Sequence, residues 1–328
     1  MSIEVENLRK VFQVREGSRG LGGSLRGLIR PQRREVVAVD GLSFSIAAGE
    51  RVAFVGPNGA GKSTTIKMLT GILHPTSGSI RVLGLEPSRE RKQLAYKVGT
   101  VFGQRTQLWY HLPARDTFDL LRYVYDLDGD TYARRRDELV EMFAIGDLIS
   151  KPVRQLSLGE RMRCEIVASL LPAPSVLFLD EPTIGLDVTA KATLRDLIHQ
   201  LSVRDGSTVL LTSHDTGDME RVCDRVIVIN HGAPLLDEPV AELRTHYIRR
   251  KVVTLMTADA TVEVDLPGVT TTSHVPHRTV LEVDVEQTPV EAVVQAAMRA
   301  TRLRDLTVED PPMEEIVQAI YAQAGSKP

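Results

Sequence analysis

Cysteine is nearly absent from this chain of 328 residues, with Cys164 and Cys223 its only two. Two thiols supply neither a disulfide framework nor a four-ligand zinc site, and they are expected to be inert in a reducing compartment. Long apolar runs are missing too. The longest, such as 176–179 and 209–211, fall far short of the roughly 20 residues that span a bilayer, so any membrane role has to be borrowed from a partner. Residues 1–6 carry neither the basic nor the apolar region of a secretory signal, and none is expected. The charge excess is small, formally −3. No global basic field argues for nucleic acid, which is not expected as a partner. The remaining composition, 42% hydrophobic and 25% charged, is that of a globular protein long enough for one large domain and a smaller one.

Short apolar runs at 52–55, 98–102, 176–179, 208–212 and 226–229 have the character of buried strands. Helical patterns intervene at 62–73, 189–201 and 216–222. This alternation predicts an α/β fold with a mostly parallel sheet. Residues 105–171 lack strand signals and read as a mainly helical insert. Residues 15–35 interrupt the pattern with five glycines and six arginines, and read as an inserted basic loop or hairpin. Past residue 245 the texture becomes α+β. Strands are expected at 252–256, 262–266, 280–285 and 303–308. Thr288 and Pro289 supply an N-cap and first-turn proline for a helix striped by Val290, Val293, Val294 and Ala297. His274 and His277 fall in a proline-containing loop, too sparse for a metal site. The predicted domains are 1–240 and 245–328.

Gly56-Pro57-Asn58-Gly59-Ala60-Gly61-Lys62-Ser63 matches G-x-x-x-x-G-K-[ST], follows a strand, and runs through Thr64 into a helix. Glycines let backbone N–H groups wrap phosphates, and the helix N-terminus adds a favourable dipole. Lys62 adds a point charge, and Ser63 offers a hydroxyl to Mg²⁺. The bare pattern arises by chance in about one chain in a hundred of this length. The run 176–179 ends in Asp180-Glu181. Asp180 is the candidate Mg²⁺ ligand and Glu181 the candidate group that polarises an attacking water.

Further elements appear once each and in order: Gln104 after a strand, Leu156-Ser157-Leu158-Gly159-Glu160-Arg161, Gly185-Leu186-Asp187, and His214 after a strand. Together with the loop and the carboxylates, this set resembles the ATP-binding subunits of ABC transporters over residues 3–237. The resemblance implies a P-loop NTPase domain with a helical subdomain, using ATP and Mg²⁺. It implies that Gln104 contacts Mg²⁺ or the lytic water and that His214 bonds the γ-phosphate. Phe12 would stack on adenine. Ser157, Leu158, Gly159 and Glu160 would form the signature segment, in which Ser157 and Gly159 meet ATP held by an opposite subunit, and Asp187 would link the two sites. The family's signature reads Leu-Ser-Gly-Gly-Gln, and Leu158 and Glu160 depart from it. A carboxylate at 160 near a triphosphate is repulsive unless Arg161 or Arg163 offsets it.

The segment around Trp109 and the C-terminal extension look like exporter-type ATPases that serve separate permeases of the ABC-2 kind. The implied partners are such permeases and a second ATPase subunit, identical or not, at the cytoplasmic face of the plasma membrane. An importer ATPase, or a soluble ABC ATPase acting on ribosomes or DNA, stays open at this point. The C-terminal domain shows no catalytic constellation and reads as a regulatory or dimer-supporting appendage.

Overall fold

The computed structural model describes residues 1–15, 33–103, 106–247, 250–310 and 313–325. Most of the predicted basic insertion therefore lies outside the described residues, as does Gln104. The chain forms two compact units, 1–238 and 239–328.

In the first unit, β1 (Ile3–Arg15) lies between β2 (Arg33–Ile46) and β4 (Ser77–Val82) in an antiparallel sheet. The second sheet has the order β5-β6-β7-β3-β8-β9, formed by β3 (Arg51–Val55), β5 (Val98–Phe102), β6 (Val176–Asp180), β7 (Thr208–Ser213), β8 (Arg225–Asn230) and β9 (Ala233–Pro239). The β5/β6, β6/β7, β7/β3 and β3/β8 pairs are parallel. Their near-continuous Val, Leu, Ile and Phe content is what a sheet covered on its faces requires. Phe54, Phe178, Leu210 and Ile227 pack with Ile3, Leu8 and Ile66 in one core, tying the two sheets together.

The helices follow in chain order: α1 (Lys62–Leu69), α2 (Arg91–Ala95), α3 (Ala114–Val124), α4 (Gly129–Met142), α5 (Leu158–Leu170), α6 (Val188–Asp205) and α7 (Thr216–Val222). Helices α3 to α5, with a 3₁₀ turn at Val153–Gln155, make the helical subdomain. α1 stops four residues short of the predicted end. The hydroxyl of Thr70 donates to the Ile66 carbonyl, and Gly71 turns left-handed at φ 70° against Pro87. Both cysteines are buried, and burial pushes the Cys164 thiol up to about 12.

The second unit holds α8 (Val240–Tyr247), β10 (Arg250–Thr257), β11 (Val269–Val275), β12 (Arg278–Asp284), α9 (Val290–Ala300), β13 (Leu303–Glu309) and α10 (Met313–Gly325). Its antiparallel sheet has the order β11-β12-β10-β13. Val253, Leu255, Leu281 and Val283 pack on Val293 and Ala297 of α9.

Two expectations are corrected here. No strand forms at 262–266. Val262 and Val264 are buried in the unit's core without joining a ladder, because alternation reports side-chain burial rather than backbone pairing. The strand lies instead at β11, an exposed edge that holds His274. Thr288 does not cap α9 either. Its buried hydroxyl donates to the Pro267 carbonyl at 2.5 Å, and Pro289 occupies the N-cap position with no side-chain cap.

Candidate functional site

Residues 56–63 join the end of β3 to the start of α1. Gly59 and Gly61 are left-handed, with φ 85° and 104°. A Cβ on Gly61 would sit 2.5 Å from the Ala38 carbonyl oxygen, so this turn demands glycine on both counts. Gly61 caps α1 without a side-chain bond, which leaves the helix's opening N–H groups for the cleft. That cleft encloses about 810 Å³, and its walls include Asn58 to Thr64, Asp180, Glu181 and His214. Lys62 is buried, its Nζ donating to the Gly56 carbonyl at 2.6 Å and the Pro57 carbonyl at 3.3 Å.

Parallel pairing brings the ends of β5, β6 and β7 to the same wall. Asp180 accepts hydrogen bonds on one oxygen from Ser63 Oγ at 3.0 Å and Thr212 Oγ1 at 2.6 Å. Ser63 and Asp180 thus set two hard oxygen donors side by side, a set that fits a small divalent cation completing its shell with water. Glu181 has φ 53°, a conformation a non-glycine residue rarely holds. Its N–H bonds both the carbonyl and the hydroxyl of Thr212, at 3.0 and 3.1 Å. Gly103 donates to the Asp180 carbonyl at 2.8 Å, and a Cβ there would lie 2.2 Å from the Glu181 carbonyl oxygen. So held, the Glu181 carboxylate reaches Lys62 Nζ at 3.6 Å and His214 Nδ1 at 3.5 Å. A cation, a half-exposed imidazole and a mostly buried carboxylate face one cleft.

A profile of the ABC transporter family matches residues 39–184. The linearmycin resistance ATP-binding protein of Bacillus subtilis (strain 168) is 30% identical over 287 residues, 85% of this chain and 91% of that relative. The chain belongs to the ABC transporter family. It carries that family's ATP-binding and ATP-hydrolysing domain on a P-loop NTPase fold. The daunorubicin resistance ATP-binding protein of Streptomyces coeruleorubidus is 37% identical over 63% of this chain, and the chain spans 65% of that relative's length, just under two thirds. Among solved structures, cbiO1 of Clostridium perfringens, part of the ABC transporter complex cbiONQ, aligns with a TM-score of 0.61 at 28% identity. That alignment covers 75% of this chain and 91% of the neighbour.

Not every predicted site residue of this ABC domain lines the cleft. Ser157 and Glu160 cap α5 reciprocally. Glu160 accepts from the Ser157 N–H at 2.8 Å, and Ser157 Oγ accepts from the Glu160 N–H at 3.3 Å. The Ser157 backbone bond holds the Glu160 carboxyl below its usual range. The anticipated repulsion is therefore met first by the helix terminus itself. Arg163 spends its guanidinium on the Phe143 and Ala144 carbonyls. Leu158 packs over Gly185, where any Cβ would come within 2.9 Å of it, and Gly159 faces Ala190. Asp187 caps α6 through the Ala190 N–H at 2.8 Å. Phe12 sits on β1 opposite Val36 with Lys10 over its ring, and it is not among the residues lining the cleft.

A buried network behind the cleft was not anticipated. Asp218, fully buried, accepts from Thr183 Oγ1, Ser213 Oγ and Arg195 Nε, each at 2.6 Å. Asp215 joins it through Lys191 at 2.7 Å and Arg195 at 2.8 Å. These bonds fasten the segment after Glu181 and the residue before His214 to α6. An acid one turn into a short helix reads as a solvated residue in the sequence, so no signal marked it.

Proposed function

We propose that this protein is the ATPase subunit of an exporter, driving a separate membrane-spanning permease by binding and hydrolysing Mg–ATP in the cleft of residues 56–63. The observation that carries the reading is the convergence of Lys62, Ser63, Asp180, Glu181 and His214 on one wall. The glycine loop and the start of α1 grip the phosphates through N–H groups, and Lys62 exchanges its carbonyl partners for phosphate oxygens. Ser63 and Asp180 would hold Mg²⁺, which when bound would neutralise charge developing on the phosphates. Glu181, fixed by its two bonds to Thr212, orients a water and takes its proton, while His214 braces Glu181 and bonds the terminal phosphate. Gln104 completes this set as a water or metal contact, by family resemblance alone.

Ser157 and Asp187 are exposed and are not among the residues lining the chain's own cleft. That position suits a second cassette, identical or not, arranged head to tail, so that each α5 terminus seals the other's ATP. Trp109, Tyr110 and Leu112 are 46%, 49% and 42% exposed, and offer an aromatic surface to the permease. No helix among the described residues is long and apolar enough to cross a membrane, in keeping with a peripheral subunit at the cytoplasmic face. The export direction is supported by the resistance functions in the names of both relatives.

The test uses inverted membrane vesicles carrying the chain with its membrane partner. Wild type is expected to drive ATP-dependent accumulation of a transported drug inside them. Glu181→Gln should keep ATP binding and lose turnover by a factor on the order of 100 or more, whereas Lys62→Ala should lose binding itself. Turnover at the wild-type rate in Glu181→Gln would remove Glu181 from its role. Retained ATPase without accumulation would remove export.

A further inference from the structure

Helix α5 carries a carboxylate that the ATP chemistry does not use. Glu165 lies two turns past Ser157 and is 3% exposed. An ionised group in that position is costly unless its lone pairs are met. Here they are met by one segment. Thr106 Oγ1 donates to Glu165 Oε1, and the Gln107 N–H reaches both carboxylate oxygens, at 3.1 and 3.2 Å. Burial lifts this carboxyl above its usual range, against the pull of those bonds.

The segment they hold is the approach to the exposed aromatic surface. Thr106 Oγ1 accepts the Leu108 N–H at 3.2 Å, and the Trp109 N–H continues to Thr117 Oγ1 at 3.1 Å. At the far end, the carbonyls of Tyr110 and Leu112 accept from the N–H groups of Arg154 and Val153, at 2.9 and 3.0 Å. Residues 106–112 are therefore pinned twice to the stretch 153–165, which contains the α5 N-terminus. One pin is backbone; the other is a single side chain.

We infer that Glu165 is a positioning residue that locks residues 106–109 to α5, so that displacement of the α5 N-terminus by nucleotide is carried to the Trp109 surface. The inference rests on the reading of the cleft and of α5 as parts of an ATP site, but its first readout needs no nucleotide. Trp109 is the only tryptophan in the chain, so the emission and acrylamide quenching of the full-length protein report on this segment alone.

Without nucleotide, Glu165→Ala is expected to raise the Trp109 quenching constant about twofold as the segment opens locally. Glu165→Gln, which keeps an acceptor for the Gln107 N–H, should fall between Glu165→Ala and wild type. Thr106→Ala, at an exposed residue that removes only one of the bonds to Glu165, should shift quenching in the same direction by less, and it carries the test if Glu165→Ala does not fold. With Mg–ATP, wild type should change its Trp109 emission, and Glu165→Ala should bind ATP within about twofold of wild type by calorimetry yet lose that change. Quenching in Thr106→Ala and Glu165→Ala equal to wild type overturns the lock. An equal nucleotide response in Glu165→Ala and wild type, or none in a wild type that binds ATP, overturns the transmission. Failure of wild type to bind ATP sinks the functional reading instead, and leaves the nucleotide-free quenching to decide the lock.

Discussion

Glu181 shows how a single residue's backbone can serve chemistry. Its left-handed φ of 53° costs of order 1 kcal/mol or more for a side chain with a Cβ, and the two bonds from its N–H to Thr212 hold it there. The conformation points the carboxylate back between Lys62 and His214 instead of along the strand. Gly103 makes room for this turn, since a Cβ at 103 would overlap the Glu181 carbonyl oxygen. Gly103→Ala is therefore expected to destabilise the protein by about 2 kcal/mol and to lower turnover more than ATP binding. Urea titration and a comparison of kcat with KM check the two effects. Glu160 works at the same scale. A residue that reads as a hazard to phosphate is turned by its neighbour's amide into a helix cap.

Among the elements, the corner between β7 and α7 matters most, because it places His214 and is tied to α6. Asp215 bonds the Gly217 N–H and pairs with Lys191 and Arg195. Burial pushes its carboxyl pKa up, but the Lys191 bond and the charges of Arg195 and Lys191 outweigh this, so the value falls below the ordinary 3.8. A carboxyl depressed by folding adds stability above its unfolded value, and that stability disappears as pH falls through the folded value. Asp215→Asn keeps the cap and removes the charge. It is expected to cost about 2 kcal/mol at neutral pH, with the gap from wild type closing as pH drops below 3.8. Urea unfolding at a series of pH values measures it. A gap that stays constant into acid would mean that packing, not charge, holds this corner.

At the scale of the whole molecule, the two compact units each bury a hydrophobic cluster of their own. The first contains the cleft of residues 56–63 with Asp180, Glu181 and His214, and the signature residues Ser157 to Glu160 are not among those lining that cleft. Under the proposed function, one chain presents two halves of two different sites, a requirement that pairing with a second cassette would meet. Glu181→Gln with Mg–ATP is expected to sediment as a dimer at micromolar concentration, and to return to monomer when Lys62→Ala is added. If the ATP-bound Glu181→Gln protein stays monomeric in the absence of permease, the second half-site is supplied in some other way.

The amino-acid sequence by itself determined the parts whose physics is local. Glycine spacing around Lys62 dictates a turn that only glycine can make, short apolar runs alternating with helical patterns indicate a parallel sheet, and Asp180-Glu181 falls where such a strand must leave the core. What only the tertiary structure decided are contacts between residues far apart in the chain. Glu165 with Thr106 and Gln107, Asp218 with Thr183 and Arg195, and Gly103 against Glu181 have no periodicity and no motif. The second unit is the same lesson in reverse. Alternation at 262–266 matched burial, yet the strand formed at β11, because a ladder needs a partner strand in register and not merely an apolar face.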